Sequence, residues 1–298
     1  MIGLFAMYFF STTLVSACTA ITMLTLSGLY THFTGVYWFV DSGIPIAVFL
    51  GLHLLITDPS TSPRTLTGKA IFGICYGTLV FAGYGILAQL GWPTFYDKLL
   101  PVPILNLCVR MIDRLVASPV FARWNSGSVA IRLSPARLNV AFMAVWITFF
   151  IVVNRVGILG DTHPGHQVPF WQQACSEGRR DGCRILQRVE EQYCSLGSGW
   201  ACNEYGINLI EGKVFPANPF AGAQMLSTAC RLGTPEACGN ALFALSPTPE
   251  AQFSRSQPTV DDFKILLRNG KAPLPEMPQE ELLKIACTQH WPDTCGRR

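Results

Sequence analysis

The sequence predicts an all-α protein in two parts: multi-pass transmembrane helices, then an extracytoplasmic, disulfide-stapled α-solenoid of helical hairpins. Three observations predict it. Four stretches within the first 158 residues are long and apolar enough to cross a membrane. The residues after them carry charge at the density of a water-facing domain. Eight of the eleven cysteines recur in C-x7-C frames.

Residues 1–158 hold 9 Lys/Arg and 4 Asp/Glu, whereas residues 159–298 hold 13 and 15. The net charge of +3 therefore comes mostly from membrane loops and points to no nucleic-acid partner. The first 40 residues contain no Asp, Glu, Lys or Arg. They lack the basic n-region of a secretory signal, so the start reads as a spanning segment.

A spanning helix needs roughly 20 mostly apolar residues. Segments at about 3–29, 37–57, 69–92 and 138–158 satisfy this. The stretch LLPVPILNLCVRMIDRL (99–115) is shorter and carries two prolines and two arginines, so its length leaves two topologies open. If it stays in the cytoplasm, Arg64 and Lys69 fall on the outer side. If it spans, Arg64, Lys69, Arg114, Arg123, Arg132 and Arg137 all face the cytoplasm, leaving Lys98 and Arg155 outside. The second arrangement is the better positive-inside distribution and is favoured. The expected organisation is a membrane region at 1–115, a cytoplasmic loop at 116–137, a transmembrane helix at 138–158, a linker at 159–169 and a hairpin domain at 170–298. Both topologies place the last of these in the periplasm of an inner-membrane protein, a compartment that suits paired cysteines.

Asp41 and His53 lie in the second segment, where ionisable side chains are functional candidates. Each is also close enough to a helix end to reach the interface. His163 and His166 suggest a ligand pair, but no further ligand is near in sequence and a polar juxtamembrane linker is the simpler reading. Zinc sites use C-x2–4-C spacing, which the C-x7-C frames do not match. Cys18, Cys75 and Cys108 lie in or near the membrane segments and read as small buried hydrophobes.

The frames are ACSEGRRDGC (174–183), YCSLGSGWAC (193–202), ACRLGTPEAC (229–238) and ACTQHWPDTC (286–295). In the third, AGAQMLSTACRLG has Ala and Leu at helical spacing. Gly233 can end that helix in the left-handed conformation. Thr234 then serves as N-cap, with Pro235 at the first position and Glu236 in the first turn of the next helix. One cysteine closes a helix and the other opens its antiparallel partner. The expected pairs are Cys175–Cys183, Cys194–Cys202, Cys230–Cys238 and Cys287–Cys295. The last frame has His290 where the others have Gly178, Gly197 and Gly233. An insertion, SPTPEAQFSRSQP (246–258), precedes it and is rich in turn formers.

The run 201–245 resembles Sel1-like repeats, particularly their cysteine-rich secreted form. The matching residues are Gly206, Leu209, Gly212, Ala223, Ala229 and Gly233, with Cys202, Cys230 and Cys238. The resemblance implies a right-handed solenoid of paired helices that binds other proteins or cell-wall material. Some such proteins are associated with β-lactam binding, which makes a β-lactamase-like hydrolase the third reading. The chain has no S-x-x-K nucleophile frame.

The membrane half has its own likeness. Residues 40–115 resemble the closing part of the RnfD/NqrB family, membrane subunits of ion-pumping, flavin-carrying electron-transport complexes. The match rests on Thr57, on the loop residues Asp58, Pro59, Ser62, Pro63 and Thr65, and on Gly68, Phe72, Gly73, Asn106 and Asp113. It implies that 99–113 belongs to a spanning helix and that the Asp-Pro loop is cytoplasmic. Family members bind flavin covalently through the threonine of an S-G-A-T-like motif. Here Ser27-Gly28-Leu29-Tyr30 and Asp41-Ser42-Gly43-Ile44 lack that threonine. No catalytic, cofactor-binding or metal-ligating residue is expected.

The leading functional expectation is a membrane-anchored interaction protein whose repeats meet a protein or cell-wall partner outside the cytoplasm. The alternative is a subunit, or split fragment, of an RnfD/NqrB-like complex, with other electron-transport subunits as partners.

Overall fold

The structure, a computed structural model, describes residues 8, 12–39, 62–90, 92, 94–119, 121, 134–156, 163–245, 252–267 and 277–296. Among these, every regular element is helical. They divide into two compact units, one within 1–33 and 37–163, the other within 34–36 and 164–298.

The first unit contains α1 (Thr13–Thr34), α2 (Leu66–Leu90), a 3-10 turn (Thr94–Asp97), α3 (Pro101–Val116) and α4 (Pro135–Arg155). Three helices have the length and hydropathy to cross a membrane: Thr13–Thr34, Leu66–Leu90 and Ala136–Val153. They correspond to the first, third and fourth long segments of the sequence. The segment expected at 37–57, with Asp41 and His53, lies largely outside the described residues, as do Asp58 and Pro59.

The stretch 99–115 is a helix, but α3 has 16 residues and is about 24 Å long, short of a bilayer core of about 30 Å. Pro101, Leu105, Ile112 and Val116 are buried, while Leu107 and Met111 are 85% and 62% exposed. Two prolines at its start set where this helix begins, because neither can donate to a preceding turn.

Small residues let α1 and α2 approach closely. A Cβ on Gly73 would lie 3.0 Å from Cys18 Cβ and closer still to the Val15 carbonyl. The Thr19 hydroxyl donates to the Val15 and Gly73 carbonyls at 2.9 Å each, so a polar group is satisfied inside an apolar pair. Cys18, Cys75 and Cys108 are unpaired and half-buried, more accessible than fully buried hydrophobes would be.

The second unit contains α5 (Val168–Ser176), α6 (Gly182–Ser195), α7 (Gly199–Glu211), α8 (Pro219–Arg231), α9 (Pro235–Leu245), α10 (Val260–Leu266) and α11 (Gln279–Thr288). Its four C-x7-C frames share one backbone turn. The N–H of Gly178, Gly197, Gly233 and His290 each donates to the carbonyl of the first cysteine of its frame. The next N–H, from Arg179, Ser198, Thr234 and Trp291, donates to the carbonyl of the residue before that cysteine. These two bonds are the Schellman helix ending. It needs a left-handed residue, and φ is +66°, +94° and +89° at the three glycines. His290 takes φ +61°, so the fourth frame keeps the turn without glycine.

In each frame the two sulfurs lie at bonding distance, with Cα–Cα separations of 4.3, 4.5, 4.7 and 4.8 Å. The first three bonds join consecutive helices: α5 to α6, α6 to α7, and α8 to α9. The fourth differs from the expected hairpin. Cys295 lies in a turn that follows α11 rather than in the first turn of a partner helix. Pro292 and Asp293 just before it are also turn residues, the latter at φ +57°, a conformation that no helix interior contains.

Candidate functional site

The strongest site is a polar face on α6, α7 and α9 that holds an extended stretch of the chain. Residues 252–259 have no regular secondary structure. All but Thr259 belong to the stretch that reads as an insertion, and side chains pin this strap.

The groove begins with helical periodicity. Glu204, Asn208 and Glu211 are spaced i, i+4, i+7 and so share one face of α7. Asn203 stands beside them, and Asn240 on α9 donates to its Oδ1 at 2.8 Å. Glu190 on α6 accepts from Asn208 Nδ2 at 2.7 Å. Gln187, one turn earlier, is buried, and neither end of its amide has a partner among the described residues.

Most contacts to the strap read backbone. Asn240 accepts from the Ser254 N–H and donates to the Ser254 carbonyl, both at 2.9 Å. Asn203 donates to the same carbonyl at 3.2 Å and to Ser256 Oγ at 3.1 Å. Glu204 Oε1 accepts from the Ser256 N–H at 3.0 Å, and the Trp200 indole donates to the Ser256 carbonyl at 3.0 Å. An amide side chain that pairs with both the N–H and the carbonyl of one residue does what a neighbouring β-strand would do.

One side chain of the strap is read for its charge. Arg255 donates to Glu204 Oε2 at 2.7 Å, Asn208 Oδ1 at 3.0 Å and Glu211 Oε2 at 3.1 Å. Three acceptors around one planar fork suit a guanidinium better than an ammonium. The Arg255 side chain is still 47% exposed, so its pairing is partly screened by water.

Burial first, then the negative charge of Glu204, pushes the Glu190 carboxyl up to about 8; the Asn208 hydrogen bond and Arg255 oppose the rise. Glu190 is 2% exposed. The strap then enters α10 through a capping box between Thr259 and Asp262. Asp262 also accepts from Ser198 Oγ at 2.7 Å and from Trp200 N at 3.1 Å, so one carboxylate serves the first turns of α10 and α7.

The other sequence candidates fall elsewhere. His163 is buried with its ring 4.2 Å from that of Tyr37, and the His166 side chain lies outside the description. No metal-competent group of three His, Cys, Asp or Glu occurs among the described residues. Of the Asp-Pro loop, Ser62, Pro63 and Thr65 are described. The Gly68 N–H donates to Thr65 Oγ1 at 3.0 Å, and a Cβ on Gly68 would lie 2.8 Å from Pro63 Cβ and 3.6 Å from Asp113 Oδ1. Pro63, Thr65, Gly68 and Asp113 therefore gather at one place, from α2 and α3 and the turn before α2.

Asn203, Asn240, Glu190, Glu204 and Arg255 were not among the sequence candidates. The available signal was the acidic and amide spacing along α7, together with single asparagines in otherwise small and apolar helix faces. Compared with protein-family models, curated proteins and solved structures, the chain matches none.

Proposed function

We propose that the chain is a membrane-anchored interaction protein. Its first unit holds it in the bilayer as a multi-pass inner-membrane protein. Its second unit is a solenoid of Sel1-like helical hairpins in the periplasm that binds a protein or cell-wall partner. The observation that carries this reading is the α7–α9 face, which already binds an extended peptide segment mainly through its backbone. The stapled turns support the placement, since disulfides persist in oxidising compartments. In this topology α3, although shorter than the bilayer core, is the fourth of five membrane segments, a mismatch that local thinning of the bilayer accommodates, and the 116–137 loop stays in the cytoplasm.

A second reading, a subunit of an RnfD/NqrB-like electron-transport complex, is favoured by one observation. Pro63, Thr65, Gly68 and Asp113, all among the residues that resemble that family, pack together.

Photo-crosslinking in intact cells separates the two. A photoreactive residue at Gln252, beside the groove, is expected to give adducts with an extracytoplasmic partner, and Glu204→Lys to abolish them. One at Leu107, on the exposed face of α3, reports partners within the membrane. Adducts from Leu107 alone would overturn the interaction reading in favour of the second.

A further inference from the structure

Building on the reading of the second unit as a binding module, we propose that the α7–α9 groove is a receptor for extended peptides bearing an arginine between small polar residues. Residues 254–256 are its resident occupant, so the groove is self-blocked until a competing peptide displaces them.

The division of labour at the groove supports this. Asn240, Asn203, Trp200 and the Oε1 atom of Glu204 contact main-chain groups and one hydroxyl of residues 254–256. Any extended chain offers the same N–H and carbonyl groups, so the main-chain contacts confer affinity without choosing a sequence. Choice resides at two positions. The Arg255 position is ringed by Glu204, Asn208 and Glu211, with Glu190 behind Asn208. Lysine, with its single compact ammonium, cannot present a planar fork to three acceptors. The Ser256 position is buried and admits only a small side chain that can accept from Asn203.

The helices that build the groove have a core independent of the strap. Leu226, Ala229, Ala237 and Cys202 are fully buried where α7, α8 and α9 meet. The resident, by contrast, is exposed at Gln252, Ser254 and Gln257 and half-exposed at the arginine. Its departure would uncover acceptors and donors that require an equivalent peptide or water.

The probe is a fluorescein-labelled peptide with the sequence of residues 251–260, used with the full-length chain in detergent. An otherwise identical peptide with alanine for the arginine is the control. Arg255→Ala in the chain releases the resident's anchor and leaves the acidic ring intact. That variant is expected to bind the arginine peptide about tenfold tighter than the wild-type chain does, and about tenfold tighter than it binds the control. Glu204→Gln added to it removes the preference for arginine. Should Arg255→Ala fail to fold, the wild-type chain still decides the matter. Excess arginine peptide, but not the control, speeds hydrogen exchange of the backbone amides across 252–257. Equal binding of both peptides by the variant, or unchanged exchange in the wild-type chain under excess arginine peptide, overturns the proposal. Groove adducts at Gln252 would still stand in that event, which keeps failure of the arginine rule distinct from failure of the interaction reading.

Discussion

Replacing Gly222 by valine is expected to collapse the stability of the second unit. A Cβ on Gly222 would overlap Ile210 Cγ1 and lie 2.8 Å from the Gly206 carbonyl oxygen. A Cβ on Gly206 would in turn lie 2.9 Å from Leu226 Cγ and 3.0 Å from the Gly222 carbonyl. Part of the obstruction is backbone, so no rotamer change relieves it, and α7 and α8 must separate. Overpacking of this kind costs about 3 kcal/mol or more, against a whole-domain stability of about 5–15 kcal/mol. The thermal midpoint of the unit should fall by about 10 °C or more. Gly239→Ala is the internal control. Nothing lies within 4 Å of its added Cβ, and it sits inside α9, so a gain of about 0.5–1 kcal/mol is expected. Melting curves that rank the two variants the other way would contradict the packing described for α7 and α8.

Glu190→Gln is expected to abolish most of the pH dependence of the same unit. The folded-state carboxyl, pushed up to about 8, stands above its unfolded value near 4.5, so the folded chain holds a proton that the unfolded chain has lost. This stabilisation is fully present below about pH 4.5 and is lost as pH rises through about 8, at up to about 1.4 kcal/mol per pH unit. Glutamine keeps an oxygen that can accept from Asn208 Nδ2 and cannot ionise beside Glu204. At pH 9 the variant should be more stable than the parent by about 5 kcal/mol, while near pH 4.5 the two should nearly coincide. Urea titrations at both pH values check this. Parallel loss of stability in parent and variant between those values would assign the effect to other groups.

The residues behind these expectations differ in how far the sequence betrays them. The turn in the first three C-x7-C frames was readable because its chemistry is local. A glycine three residues after the first cysteine supplies the left-handed ending, and Thr234-Pro235-Glu236 starts a helix at Pro235. The apolar stretches were readable because membrane crossing depends on length and hydropathy alone. His290 hid the fourth turn, since a histidine at positive φ is held there by the flanking bonds to Cys287 and Ala286 rather than by its own preference. The limit at α3 has another cause. Its strong segregation of Leu105, Ile112 and Val116 from Leu107 and Met111 emerges only when the helix is wound, and average hydropathy conceals it. The strap was the least legible element. Ser254, Arg255 and Ser256 carry turn-like composition, and what orders them is a set of partners 14 to 56 residues away. Local propensity holds no information about such partners. Only the spacing of Glu204, Asn208 and Glu211 hinted that α7 keeps a polar face inside the unit.

Display outside the cytoplasm is what would let the groove of the second unit meet its partner. Single added cysteines at Ser134 and Lys213 test that placement most directly, because both positions are exposed and lie on opposite sides of α4 in the chain. In intact cells, a membrane-impermeant maleimide should label the Lys213→Cys chain and leave the Ser134→Cys chain unlabelled until the membrane is opened. Labelling of Ser134→Cys with protection of Lys213→Cys, or equal labelling of both before lysis, would contradict the account.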